Sequence, residues 1–369
     1  MPDIKQAVVN LDYYLDSWKD LAHGLHGYII DPKRVQLAVI TPDSVSQAAL
    51  VIGHLNLFKK TQERQYLDKA MREAEYLVNN YIWEANFYYN SCFEHKPASS
   101  EAYTTLFGNS YATLALLKLC SVLKGQKINH ERFFNVAKNN IERFIIAKCW
   151  DEKKSFLEFS HNKMVFNLSS AGLALRAMLE YAKLTQNDAL IKKYCEPAAI
   201  QILRFQYRNG CFTYDERDEI APLFQCALTI KALMALYKKT KEEKLFVNAR
   251  DAAAFIAKKM HPKEKLFYYG YRGERFLKFP VYVAQSAVMA SVLKEFSNYK
   301  SKFEAADAVL TSVFSRQYDN GALPSFNTYY NIFEKTEVSQ AKEKRWQDIL
   351  PCPCWNALAF EYLTELLPS

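Results

Sequence analysis

The chain has 369 residues, half of them hydrophobic, with 48 Lys and Arg against 40 Asp and Glu for a net charge of +8. Only 10 Gly and 12 Pro and no low-complexity tract exclude long disordered stretches. The positive excess is modest for this length and its Lys residues fall on many outward helix faces, so no concentrated stripe forms and nucleic acid is not expected as a partner.

The opening Met1-Pro2-Asp3-Ile4-Lys5-Gln6 lacks a basic region followed by an apolar core, so no signal peptide is expected. No run of about eighteen apolar residues suggests a membrane span. Eight Cys, at 92, 120, 149, 195, 211, 226, 352 and 354, are scattered, several within apolar helical patterns. That usage fits reduced, buried thiols in a cytoplasmic protein.

Residues 5–22 predict an amphipathic helix with Val8, Val9, Leu11, Leu15, Trp18 and Leu21 on one face. In 25–42, two apolar patches, Tyr28-Ile29-Ile30 and Leu37-Ala38-Val39-Ile40, flank Asp31-Pro32-Lys33-Arg34 and read as a β-hairpin. A helix over about 43–59 is apolar nearly all round, and its successor over about 63–81 has a strongly charged face. The first pattern belongs to a buried helix and the second to a helix covering it. The pair recurs: inner helices at about 103–123, 167–184, 222–239 and 281–297, outer ones at about 130–147, 187–206, 242–260 and 300–316. A last inner helix over about 353–366 ends the chain and takes the N-terminal helix as its partner.

The inner helices open on similar triplets: Gln47-Ala48-Ala49, Asn109-Ser110-Tyr111, Ser169-Ser170-Ala171, Gln225-Cys226-Ala227, Gln285-Ser286-Ala287 and Trp355-Asn356-Ala357. Their steps of 62, 60, 56, 60 and 70 residues mark an internal repeat. Outer helices lead to inner ones through aromatic connectors such as Trp83-Glu84-Ala85-Asn86-Phe87-Tyr88-Tyr89, which suit tight turns between short strands. The longest connector, 317–352, holds a Lys/Glu-rich piece that predicts an extra helix or a lid within 325–350. The expected fold is all-α, one domain over 1–369 in which six helical hairpins close into an (α/α)6 toroid.

Twelve helices with aromatic connectors resemble the (α/α)6-toroid enzymes: six-hairpin glycosidases, N-acylglucosamine 2-epimerase-like proteins, polysaccharide lyases and the related terpenoid cyclases. Gln206-Tyr207-Arg208-Asn209-Gly210-Cys211-Phe212 and Gln317-Tyr318-Asp319-Asn320-Gly321-Ala322 are similar to a repeat of the cyclase and prenyltransferase branch, where it is mostly structural. The resemblance implies a substrate cup where the connectors deliver the inner N-termini. Free N–H groups and positive dipole ends gather there, favouring a carboxylate, phosphate or sulfate on the ligand.

Glycoside hydrolysis needs paired carboxylates. Those near the expected mouth are Asp43, Glu101, Glu158, Asp215, Glu216, Asp218, Glu219, Glu274 and Asp348. Asp218, in the densest acidic cluster, is the first choice for acid/base work. Asp43 and Glu101 are further catalytic candidates at positions that also suit helix caps. His161 is a candidate base, though its surroundings match no family motif. Gln225, Gln285, Asn109, Trp355, Asn356, Tyr282 and Arg272 are the candidate substrate-binding residues, the Arg for its bidentate geometry. Cys352-Pro353-Cys354 lacks further ligands at metal spacing, so neither a metal nor another cofactor is expected. The leading reading is a carbohydrate-active enzyme (hydrolase, lyase or epimerase) acting on an anionic sugar or oligosaccharide. The alternatives are a terpenoid-cyclase-like enzyme, whose Asp-rich motifs are missing, and a non-catalytic glycan- or protein-binding toroid. Nothing in the sequence bears on oligomeric state.

Overall fold

The computed structural model describes residues 3–17, 19–20, 24–25, 27–31, 36–40, 44–84, 87–88, 105–160, 163–216, 220–272, 275–296, 305–324, 330–331, 336–337 and 353–368. Twelve helical rods appear among them. They are α1 (Ile4–Ser17), α2 (Ser44–Thr61), α3 (Arg64–Asn79), α4 (Leu106–Gly125), α5 (Glu131–Asn140, continuing as a π-helical stretch Ile141–Ile146) and α6 (Leu168–Thr185). The second half holds α7 (a π-helical stretch Ile191–Cys195, then Glu196–Arg204), α8 (Leu223–Thr240), α9 (Glu243–Ala257), α10 (Ala284–Lys294), α11 (Ala305–Phe314) and α12 (Pro353–Glu365).

The even-numbered helices form a closed inner ring. Each packs on the next, from α2 through α4, α6, α8 and α10 to α12, and α12 returns to α2. The odd-numbered helices cover them, α3 on α2 and so on, with α1 on α12. The chain is thus an (α/α)6 toroid. Two kinds of side-chain pattern produce the two layers. In α4 fourteen of the twenty residues are buried, spread over all sides of the helix, as a helix enclosed by neighbours requires. In α3, Leu67, Ala70, Ala74 and Leu77 form one buried face while Arg64, Asp68 and Arg72 are exposed. Helix α4 is also long and apolar enough to cross a bilayer, yet 78% of its apolar window is buried inside the protein.

Inner helices pass to outer ones through turns that carry left-handed residues, at Gln62, Lys127, Gln186 and Lys241. The return connectors hold short antiparallel pairs, Trp150–Asp151 with Ser155–Phe156 for example. The hairpin expected in 25–42 forms, pairing Gly27–Asp31 with Gln36–Ile40. Three expectations shift. The first helix ends at Ser17, whose hydroxyl donates to Tyr14 O at 2.6 Å, and Lys19–Asp20 pairs with Gly24–Leu25 instead of extending the helix to 22. Helix α10 starts at Ala284, not 281, because the strand Arg275–Tyr282 runs up to it. In the long connector Tyr330–Asn331 pairs with Thr336–Glu337, and the rest of the expected extra helix or lid lies outside the described residues.

The two Gln-x-x-Asn-Gly connectors have matching geometry. Gln206 Nε2 donates to Gly210 O at 2.8 Å and to Asn248 O on α9 at 2.9 Å. Gln317 Nε2 donates to Gly321 O at 2.8 Å and to Ala7 O on α1 at 3.0 Å. Each motif ties one outer helix end to the next outer helix. The second does so across the two ends of the chain. Gly210 and Gly321 sit at φ +92° and +88°, and a Cβ at Gly321 would lie 2.0 Å from Asn10 O. Both sites admit only glycine without strain.

Closure is reinforced by a buried ion cluster. His54 Nε2 on α2 lies 2.9 Å from Asp12 Oδ1 on α1, and Lys69 Nζ on α3 donates to Asp12 Oδ2 at 2.6 Å and to Asp16 at 2.8 Å. Burial alone would raise the Asp12 pKa, but the bonds to and charges of His54 and Lys69 outweigh it and hold the carboxyl well below the usual range. A depressed carboxyl contributes stability above its unfolded pKa and loses it as pH falls through the folded one. Asp12→Asn is therefore expected to lower unfolding free energy by about 2–4 kcal/mol near neutral pH. In urea titrations the gap from the parent should be full above pH about 5 and shrink below about 4.

Candidate active site

Because every inner helix is entered from an outer one, their N-termini share one rim. Thr105 and Asn167 cap two of them: Thr105 Oγ1 accepts from Gly108 N at 3.0 Å, and Asn167 Oδ1 from Ser170 N at 3.0 Å. Between α4, α6 and α8 lies a cavity of about 280 Å³ whose lining includes Thr105, Glu158, Asn167, Ser170, Asp215 and Gln225.

Glu158 is the buried carboxylate of this wall. Its oxygens accept from Leu106 N at 2.6 Å, from Phe107 N at 3.1 Å and from the Ser170 hydroxyl. Burial raises its pKa, and these three donors pull the other way without cancelling the rise. With its lone pairs turned to the first turn of α4, Glu158 acts as an anchor joining α4 to α6. Asp215, also buried, is fixed by a backbone bridge to Asn167. It starts the acidic run whose far end resumes at Ile220, paired with Arg272 on the hairpin Phe267–Arg272/Arg275–Tyr282.

The amides expected at the mouth divide into two groups. Asn109 is engaged with the scaffold: Nδ2 donates to Thr105 O at 2.8 Å and Oδ1 accepts from Asn140 Nδ2 on α5 at 2.8 Å. Asn356 clamps the Leu323 peptide, accepting from its N–H at 2.7 Å and donating to its carbonyl at 2.9 Å. Gln285 differs. It is 1% exposed, and neither Nε2 nor Oε1 has a hydrogen-bond partner. Gln225 on the neighbouring α8 has a buried Oε1 that is likewise unpartnered. Above the start of α10, Trp355 and Phe224 meet edge to face at 5.4 Å. Tyr282, half-buried, closes its strand and accepts from the Ser286 hydroxyl at 2.6 Å through its carbonyl. For Arg272 only the backbone is described. Asp43, Glu101, His161 and Asp218 lie outside the described residues.

Among the described residues no group of three His, Cys, Asp or Glu side chains is arranged to hold a metal. Five of the six described cysteines, Cys120, Cys149, Cys195, Cys211 and Cys226, are buried and form no disulfide.

Deeper along the axis is a polar floor that was not among the candidates. Tyr111 OH donates to Glu361 Oε2, beside Arg176 and Tyr362. Burial raises the Glu361 pKa to about 7, against the opposing charge of Arg176. Each of these groups interrupts an otherwise apolar inner helix, as in Leu175-Arg176-Ala177 and Phe360-Glu361-Tyr362. That interruption is a sequence signal for an axial position.

No family model matches the chain, and no curated protein is similar to it in sequence. Solved structures do share the fold. Cellobiose 2-epimerase from Bacillus thermoamylovorans B4167 superposes with a TM-score of 0.72 at 12% identity, over 99% of both chains. A D-mannose isomerase gives 0.70 at 14% identity, over 98% of this chain and 97% of the other. An unsaturated glucuronyl hydrolase specific for heparin gives 0.67 at 14% identity, over 98% and 95%.

An unsatisfied buried amide destabilises by about 1–3 kcal/mol. Gln285→Met, which keeps the volume and removes both polar atoms, is expected to raise unfolding free energy by about 1–2 kcal/mol without ligand. Chemical denaturation reads this directly.

Proposed function

We propose that the chain is a carbohydrate-active enzyme (a hydrolase, lyase or epimerase) that works by acid/base chemistry on an anionic sugar or oligosaccharide at the toroid mouth. The observation that carries this reading is the free hydrogen-bonding capacity of Gln285 and Gln225 on adjacent inner helices. A carboxamide offers donors and an acceptor together, the complement of a sugar hydroxyl that also both donates and accepts. A hydrocarbon substrate would leave those atoms unsatisfied, which disfavours the terpenoid alternative. The fold neighbours support the same class, since they act on cellobiose, mannose and an unsaturated glucuronyl substrate by their names.

Asp218 is the proposed acid/base residue, following Asp215 and Glu216 in the sequence. Asp43, Glu101 and His161 are the further catalytic candidates. Tyr282, Trp355 and Arg272 are proposed around the sugar, the Trp offering an aromatic face and Arg272 a positive charge. The converging helix N-termini add to the preference for an anion. The buried, unpaired thiols support a cytoplasmic setting.

A panel of neutral and uronic-acid oligosaccharides, screened for binding and turnover, tests the class. Asp218→Asn is expected to lower kcat by at least about a hundredfold while the bound sugar is retained, the size of effect for loss of a general acid or base. Full activity in that variant removes Asp218 from the chemistry. No binding across the panel removes the reading.

A further inference from the structure

The inner helices carry their C-terminal halves away from the mouth, and there they enclose a second cavity of about 570 Å³. Lys118 of α4, Arg176 of α6 and Lys231 of α8 line it, with Glu295 just past α10 and Glu365 at the end of α12. Cations at helix C-termini ordinarily offset the negative dipole ends. Four of the cations here are also paired. Lys231 bridges Glu295 and Glu365, the latter at 2.5 Å, Lys238 approaches Glu295 at 3.4 Å, Lys183 lies 3.7 Å from Glu180, and Lys239 meets Asp188 at 2.9 Å. These contacts hydrogen-bond Glu295 and Glu365, whereas Glu180 Oε2 is buried with no hydrogen-bond partner.

Two cations have no direct carboxylate contact among the described residues. Arg176 is 7% exposed and its Nη1 is buried with no hydrogen-bond partner; burial would lower its pKa, but Tyr362, Glu361, Tyr111 and Glu365 nearby hold it above the usual range. Lys118, half-buried in the same wall, likewise has no ion-pair or hydrogen-bond partner among the described residues. Burial and the nearby Arg176 charge push the Lys118 pKa down to about 8, against the opposing pull of the Glu180 and Glu365 charges. An isolated buried charge is strongly unfavourable, and proteins pair it or supply a ligand.

We propose that this cavity is a binding site for the phosphate group of a small phosphorylated molecule, held between Lys118 and Arg176 and separate from the mouth. A phosphate monoester carries nearly two negative charges at neutral pH, matching two cations that no carboxylate contacts directly. The guanidinium presents parallel donors for two oxygens and the ammonium a point charge for a third. The cavity is several times the volume of one phosphate and leaves room for the body of a metabolite. The site rests on none of the mouth residues and stands or falls apart from the activity proposed there.

Titration of the full chain with inorganic phosphate at constant ionic strength, followed by calorimetry and thermal shift, tests the site, with acetate as the monoanion control. Saturable phosphate binding is expected, and acetate should bind far more weakly. Lys118→Met and Arg176→Met should each weaken phosphate by about tenfold or more, whereas Gln285→Met should leave it unchanged. Without phosphate, Lys118→Met should melt at the same temperature as the parent or above it, since it removes a half-buried cation with no direct partner. Four outcomes overturn the proposal. They are no saturable binding by the parent, equal acetate binding, unchanged affinity in both cavity variants, and a lowered melting temperature of Lys118→Met without ligand, which would make Lys118 a structural residue.

Discussion

Closure of the inner ring depends on how closely its first and last helices approach. Gly53 on α2 faces Phe360 on α12, and a Cβ there would fall 2.5 Å from the buried ring, with the Glu361 backbone 3.4 Å away. His54, next along, packs edge to face on the same ring at 5.2 Å while its Nε2 reaches Asp12. One turn on, Asn56 Nδ2 donates to Glu361 O at 3.3 Å and to Thr364 Oγ1 at 3.2 Å. The seam thus joins segments about three hundred residues apart by one close apolar contact and a short polar ladder. Outside it, Gln317 and Asp12 bind the last connector and α3 to α1, so both layers close at the same place. Long-range closure of this kind must offset a large loop entropy, which explains why polar ties accompany the packing.

Once the ring is closed, helix polarity divides the interior. N-terminal ends and positive dipoles collect at the mouth, where the buried carboxylate of Glu158 satisfies the first turn of α4. C-terminal ends collect at the other side, where lysines gather. Between them, Tyr111, Arg176, Glu361 and Tyr362 fill the axis with polar atoms. Glu361 Oε1 and Tyr362 OH have no hydrogen-bond partner there. An apolar plug of equal volume would be more stable than such a floor. Its retention in the centre of the ring shows that the axis is not optimised for stability alone.

The sequence disclosed the ring because each inner helix repeats one physical demand. Small and amide side chains at its start let neighbours pack closely, and an apolar run follows on every face. It disclosed the two glutamine connectors for a similar reason, since Asn209 and Asn320 each accept from the N–H two residues on within a turn set locally by glycine. The site was less legible. Gln285 and Asn356 occupy related positions in their triplets, yet one amide is free and the other clamps Leu323. That difference lies in which connector passes overhead, which is a tertiary fact. Glu158 stood among nine mouth carboxylates without distinction, because local acidic density favours an exposed run over a single buried carboxyl. Its setting in Phe156-Leu157-Glu158-Phe159, a lone charge among apolar residues, was the better indicator.

Elsewhere many buried polar groups are satisfied, although Ser110, Trp150, Ser155 and Thr213 also carry buried atoms without a partner. Asn109, Asn140 and Thr113 form a continuous chain between α4 and α5, Ser286 both donates and accepts, and Ser291 reaches Tyr362 O at 2.9 Å. What distinguishes some unpartnered atoms is their position: Gln225 lines the mouth cavity, and Arg176 lines the opposite cavity with Lys118. Neutral amides stand where helix N-termini already favour anions, whereas Lys118 and Arg176 stand towards helix C-termini, whose negative dipole ends favour cations and lower the positive potential left for a ligand. An anion bound there must gain from direct contacts with both side chains what the dipoles do not supply, and a group with more than one negative charge gains most from such a pair.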